Sequence, residues 1–269
     1  MKRGWSAISG AIALTCAMAS VACSSSSDGG GGFGGTGGEA GGGGQGGEGG
    51  IEPAMVRVAH LAPDAPRPTG TAVNFFMSGA GSFNSIEFGI VTLYGVVRPG
   101  PLVVEVQTLG RGDVLASASG DVESGGRYTF IAHRDGAQAT EMSLVFFDEN
   151  VSDLSSTQGR LIVGHGVDDA SWDVVQVVLA DEDPVPLGQL GLGQQTPPID
   201  LDAGPHSLGF DTTAPSPEID VGPFTVELES EEPLILFAID RDTADLSALP
   251  EIFPIRPDTA GEVDPLPFP

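Results

Sequence analysis

Beyond residue 50 the chain alternates apolar and polar positions with a period of two, in short runs rich in Val, Ile, Phe and Thr that Gly, Pro, Asp and Asn interrupt. This is the pattern of half-buried strands joined by tight turns. Val56, Val58 and His60 alternate with Arg57 and Ala59, and Val73, Phe75 and Met77 keep the same spacing. Leu102, Val104 and Val106 do so against Glu105 and Gln107. Tyr128, Phe130 and Ala132, then Leu144 to Phe147, supply further strands before the polar stretch 148–158. Helical periodicity is nearly absent. Seven or eight short strands in about 95 residues predict an all-β fold, a β-sandwich of immunoglobulin-like size.

The second half repeats the first. Val58-x-His60-x-x-x-Asp64-Ala65 has its counterpart in Val163-x-His165-x-x-x-Asp169-Ala170, 105 residues on. Phe88-Gly89 and Gly100-Pro101 match Leu192-Gly193 and Gly204-Pro205 at 104, and Glu123-Ser124 matches Glu229-Ser230 at 106. An offset that holds within one residue over this length predicts two tandem immunoglobulin-like sandwiches. The first spans 51–150 and the second, divergent one 159–250, followed by an irregular acidic, Pro-rich tail over 251–269. Separate cores imply that a protease cutting near 150–158 leaves two stable pieces.

The N-terminal segment reads differently. Lys2 and Arg3 precede an apolar stretch from Trp5 to Val21 that ends in small residues, the layout of a secretory signal over 1–22. At fewer than about 20 residues, and diluted by Ser and Gly, the stretch is too short to span a bilayer. Ser20-Val21-Ala22-Cys23 resembles the lipobox of bacterial lipoproteins, with Ser20 in place of the usual Leu. The resemblance implies a lipidated Cys23 as the first mature residue and a lipid anchor as the membrane-binding device. Cys16 is lost with the signal, so Cys23 is the only mature thiol and no disulfide forms. Residues 24–50 are mostly Gly and Ser, with Phe33 the only large apolar residue. Such a segment cannot offset its ordering entropy, and predicts a disordered Gly-rich linker spanning roughly 30 Å.

The segment Val56-Arg57-Val58-Ala59-His60-Leu61-Ala62-Pro63-Asp64-Ala65-Pro66 resembles the opening strand and turn of the bacterial family called domain of unknown function 4397. Ser85 to Gly89 with Val96 to Gly100 resembles its middle segment, and Val122 to Ala132 its strand after a Gly turn. The second repeat keeps His165 and Asp169-Ala170 and lacks both prolines. The resemblance implies an exported protein with the domain in tandem, and it implies no activity. The motif is intelligible as structure: Pro63 and Pro66 stop the strand, Asp64 accepts bonds from turn amides, and His60 at the strand end bonds neighbouring backbone.

Charge and residue chemistry narrow the function. Without Lys2 and Arg3 the mature chain sets 37 acids against 9 arginines, a formal charge of −28. Such a surface repels phosphate backbones, so nucleic acid is not a partner, and self-repulsion favours a monomer. There is no G-x-S-x-G elbow, no H-E-x-x-H and no cofactor motif. Asp181-Glu182-Asp183, Asp240 with Asp242, and Asp200 with Asp202 are weak calcium candidates that lack the EF-hand spacing. The expectation is a surface-displayed, non-enzymatic lipoprotein, anchored in the cell envelope at the outer membrane, that binds a glycan or protein or serves a structural role there. An envelope-polymer hydrolase and a calcium-dependent adhesion module are the alternatives.

Overall fold

The structure, a computed structural model, describes residues 51–63, 71–135, 141–168, 172, 174–180, 184–212, 219–240 and 250–267. Cys23, Asp64, Pro66, Asp169, Asp181, Glu182, Asp183 and Asp242 lie outside these residues, as do the signal and the linker.

The first half folds into nine strands: β1 (Ala54–Leu61), β2 (Val73–Met77), β3 (Gly81–Ile86), β4 (Ile90–Val91), β5 (Gly95–Val97), β6 (Gly100–Thr108), β7 (Val114–Val122), β8 (Arg127–Arg134) and β9 (Met142–Asp148). The second adds β10 (Gln158–Gly166), β11 (Val174–Leu179), β12 (Val185–Gly191), β13 (Ile199–Asp202), β14 (Gly204–Asp211), β15 (Val221–Leu228), β16 (Pro233–Ile239), β17 (Glu251–Ile255) and β18 (Gly261–Glu262). Four sheets result. In the first half an inner sheet β18-β4-β1-β8-β9, with β5 also on β1, faces an outer sheet β3-β2-β6-β7. In the second half the inner β13-β10-β16-β17 faces the outer β12-β11-β14-β15, so the same pairing order recurs.

The matched sequence positions occupy matched places. Gly89 N–H donates to the His60 carbonyl at 2.8 Å and Gly193 N–H to that of His165 at 2.7 Å. Gly100 and Gly204 open β6 and β14 at φ +127° and +133°, values that only glycine adopts without strain. Thr92 and Thr196, 104 residues apart, complete the set. Thr92 and Thr196 each donate their N–H to the carbonyl of the paired valine, Val58 or Val163, at 2.9 and 2.8 Å. Each hydroxyl accepts that valine's N–H in return, at 3.1 and 3.0 Å.

Each sandwich encloses its own core. Val56, Val58 and Phe130 meet Phe75, Val104 and Val106 in the first, and Leu161, Val163 and Leu236 meet Val175, Leu208 and Phe210 in the second. A third core lies between the two inner sheets, where Leu61, Ile131 and Phe147 pack against Ile162, Ile235, Phe237 and Phe253. The four sheets are therefore stacked layers, and the inner two are apolar on both faces. That is why β10 and β16 read as continuous apolar runs and do not alternate. Each fully buried Phe, Ile or Leu of the third core contributes about 1.5–3 kcal/mol. Residues Glu48–Pro269 accordingly form one compact unit.

The segment expected to be an irregular tail is built into this stack. β17 pairs with β16, and β18 crosses to the first half and pairs with β4 through Gly261↔Val91 and Glu262↔Ile90. Val263 enters the third core and Leu266 packs on the second. Its many prolines hid these strands from the sequence; the one that lies within a strand, Pro254, is tolerated because β17 is an edge strand.

Candidate functional site

The first and eighth strands, β1 and β8, run parallel, as do β10 and β16. Arg134, at the end of β8, reaches Asp168 at 3.7 Å and Asp240 at 3.9 Å, just past the ends of β10 and β16. All four inner strands therefore finish on one edge of the stack. That edge gathers His60, Pro63, His133, Arg134, His165, Asp168 and Asp240.

His60 and His165 are fully buried there and bonded alike. Nε2 of His60 bonds the Thr71 carbonyl at 2.7 Å, and its Nδ1 accepts the Ala62 N–H at 3.4 Å. Nε2 of His165 bonds the Trp172 carbonyl at 2.7 Å, and its Nδ1 accepts the Val167 N–H at 3.3 Å. A carbonyl can only accept, so each ring carries its proton on Nε2. Burial pushes the His165 pKa down, against the opposing effect of its bond to Trp172. Each histidine thus ties the end of its strand to a carbonyl further along the chain, across ten intervening residues in the first repeat and six in the second. Pro63 is buried as well.

His133 is different. Its Nδ1 donates to the Arg134 carbonyl at 2.7 Å, which leaves Nε2 as an acceptor. Nε2 is buried with no hydrogen-bond partner among the described residues. Burial drives the pKa down to about 4. The ring packs on Phe237 at 5.5 Å between centroids.

A second polar cluster sits where β1 begins, and the sequence did not single it out. Arg57 is completely buried. Its Nε donates to Thr129 Oγ1 at 2.8 Å and its Nη2 to Glu149 Oε2 at 2.8 Å. Nη1 donates to the carbonyls of Arg256, Pro257 and Thr259, in the connection to β18. Thr129 and Tyr94 both donate to the Glu149 carboxylate, and Arg57 lies over the Tyr94 ring at 4.6 Å. Burial, and then the Glu149 charge, push the Tyr94 pKa well above the usual phenol range. The clue available in the sequence was an arginine inside a Val-x-Val strand, which reads as solvent-facing until the second buried face is known.

Of the calcium candidates, Asp240 faces Arg134. Asp200 is held by Arg160 at 2.7 Å, and that bond keeps its carboxyl below the ordinary aspartate range. Among the described residues no group of three His, Cys, Asp or Glu side chains is placed to hold a metal ion. The described residues likewise contain no helix long and apolar enough to cross a membrane.

Comparison with known proteins adds little on function. The search of curated proteins gave no match. Among solved structures the chain is similar to the Bacillus anthracis TIE protein, with 12% identity and a TM-score of 0.22, over 71% of this chain and 34% of that one. The segment that runs from β1 through the turn after His165 is the part with a family likeness: residues 54–174 match the model described as Domain of unknown function (DUF4397), the family that the Val-Arg-Val-Ala-His strand resembles.

Proposed function

We propose that the chain is an exported lipoprotein, anchored through Cys23 in the outer membrane, whose folded part is a non-catalytic module that binds an envelope glycan or protein. The observation that carries this reading is the run of β1. The linker joins the fold just before Ala54, and the His60 turn leaves at the other end of the same strand, roughly 20 Å away at 3.3 Å per residue. The histidine-bearing edge therefore lies at the far end of β1 from the point where the linker enters the fold. The histidines of the two repeats support holding over catalysis, because both nitrogens of each ring engage main-chain groups. Shape fixed in this way is what a recognition edge needs.

Two measurements test the proposal. Residues 48–269, incubated with isolated envelope material, are expected to co-sediment with it and release no soluble product; release of fragments, or failure to sediment, overturns the binding role. Metabolic labelling with a lipid analogue is expected to mark the wild-type chain and not Cys23→Ala. Equal marking of the two refutes the anchor.

A further inference from the structure

We propose that β1 is the strand that carries mechanical tension in this molecule, a shear clamp through which a pull on the N-terminal tether enters the fold. The proposal rests on the tethered reading above for its physiological sense, and on the geometry of β1 for its mechanics.

Tension applied at residue 51 and resisted at the opposite edge runs along the axis of β1. Seven consecutive residues, Met55 to Leu61, are registered against Arg127 to His133 of the parallel strand β8. On its other side β1 is paired with β5 and then β4. Strands that run parallel and are pulled from opposite ends load all their hydrogen bonds together. The same strands pulled apart from one end load the bonds one at a time. Sliding β1 by even one residue would also carry its side chains out of two cores, since Val56 and Val58 lie in the first and Ala59 and Leu61 in the third.

Arg57 adds a pin at the loaded end. It is bonded to three separate parts of the chain: Thr129 on β8, Glu149 after β9, and the carbonyls between β17 and β18. The second sandwich has a matching device. Arg160, near the start of β10, bonds Asp200 at 2.7 Å, Asp153 at 3.0 Å and the Asn150 carbonyl, while β10 pairs in parallel with β16. In each sandwich an arginine lies within the first four residues of the leading strand, and in the first it fixes the end at which tension arrives.

Residues 48–269 contain no cysteine, so paired substitutions define unique handles for single-molecule pulling. Ile51→Cys with Asp135→Cys loads β1 against β8 in shear. Ile51→Cys with Glu123→Cys pulls the same two strands apart from one end. The expected result is a rupture force several-fold higher in the first geometry, and a fall in that shear force for Arg57→Met. Equal rupture forces in the two geometries overturn the clamp, whatever the Arg57 variant does. An unchanged shear force in a folded Arg57→Met protein overturns the pin. The outcome is independent of Cys23 labelling, so failure of the anchor and failure of the clamp are distinguishable.

Discussion

Arg57 illustrates how a charge is kept inside an apolar stack. Its guanidinium is bonded on all three nitrogens, and its carboxylate partner also receives Thr129 and Tyr94. Removing one member strands the other in a dry interior, so Arg57→Ala should cost about 3–5 kcal/mol in chemical unfolding of residues 48–269. Replacing both, as Arg57→Met with Glu149→Leu, should cost much less than the single change. His133 gives a prediction in pH. Its folded pKa of about 4 lies below the 6.5 of a free imidazole, so the unfolded chain takes up the proton first. The stability tied to its neutral ring is fully present above pH 6.5 and is lost as pH falls toward 4, by about 3 kcal/mol in all. Unfolding measured across that range should show a shallower loss in His133→Leu; an identical profile would remove His133 as the cause. At this scale the sequence exposed His60, because proline and aspartate after a strand end announce a turn. It concealed Arg57, Thr129 and Glu149, because their meeting depends on strands 72 and 92 residues apart from β1.

The inner strands show how small residues make the layers fit. Gly164 lies opposite Phe237 in the β10–β16 pairing. A Cβ there would come within 2.5 Å of the Phe237 ring and 2.8 Å of Phe147. Gly164→Val should therefore overpack the third core and cost about 1–3 kcal/mol, seen as a lower denaturation midpoint. The C-terminal segment supplies a second element-scale prediction. Deleting residues 261–269 removes β18 together with Val263 and Leu266, and should cost at least about 2 kcal/mol from lost apolar burial. A midpoint identical to that of the full fragment would mean that the crossing strand does not hold the inner sheet. Strands such as β2 and β6, with one wet face, were legible from alternation alone. β17 and β18 were not, since prolines mask their pattern and their partners are supplied by other parts of the stack.

For the whole molecule, the recurrence in sequence corresponds to two sandwiches with one pairing order. What the recurrence could not convey is that the sandwiches share a third core, because the residues forming it read as the outer faces of separate sheets. Two-face burial is visible only once both inner sheets are placed. The acidity of the chain has a related arrangement: Arg57, Arg134 and Arg160 are turned inward against Glu149, Asp168, Asp240, Asp153 and Asp200.

The structural basis of every proposal above is that residues 48–269 behave as one body. Scanning calorimetry of that fragment tests this most directly. One transition is predicted, with the calorimetric enthalpy equal to the van't Hoff value, because exposing the third core destabilises both sandwiches together. Two separable transitions, or two stable pieces after cleavage between residues 150 and 158, would contradict it.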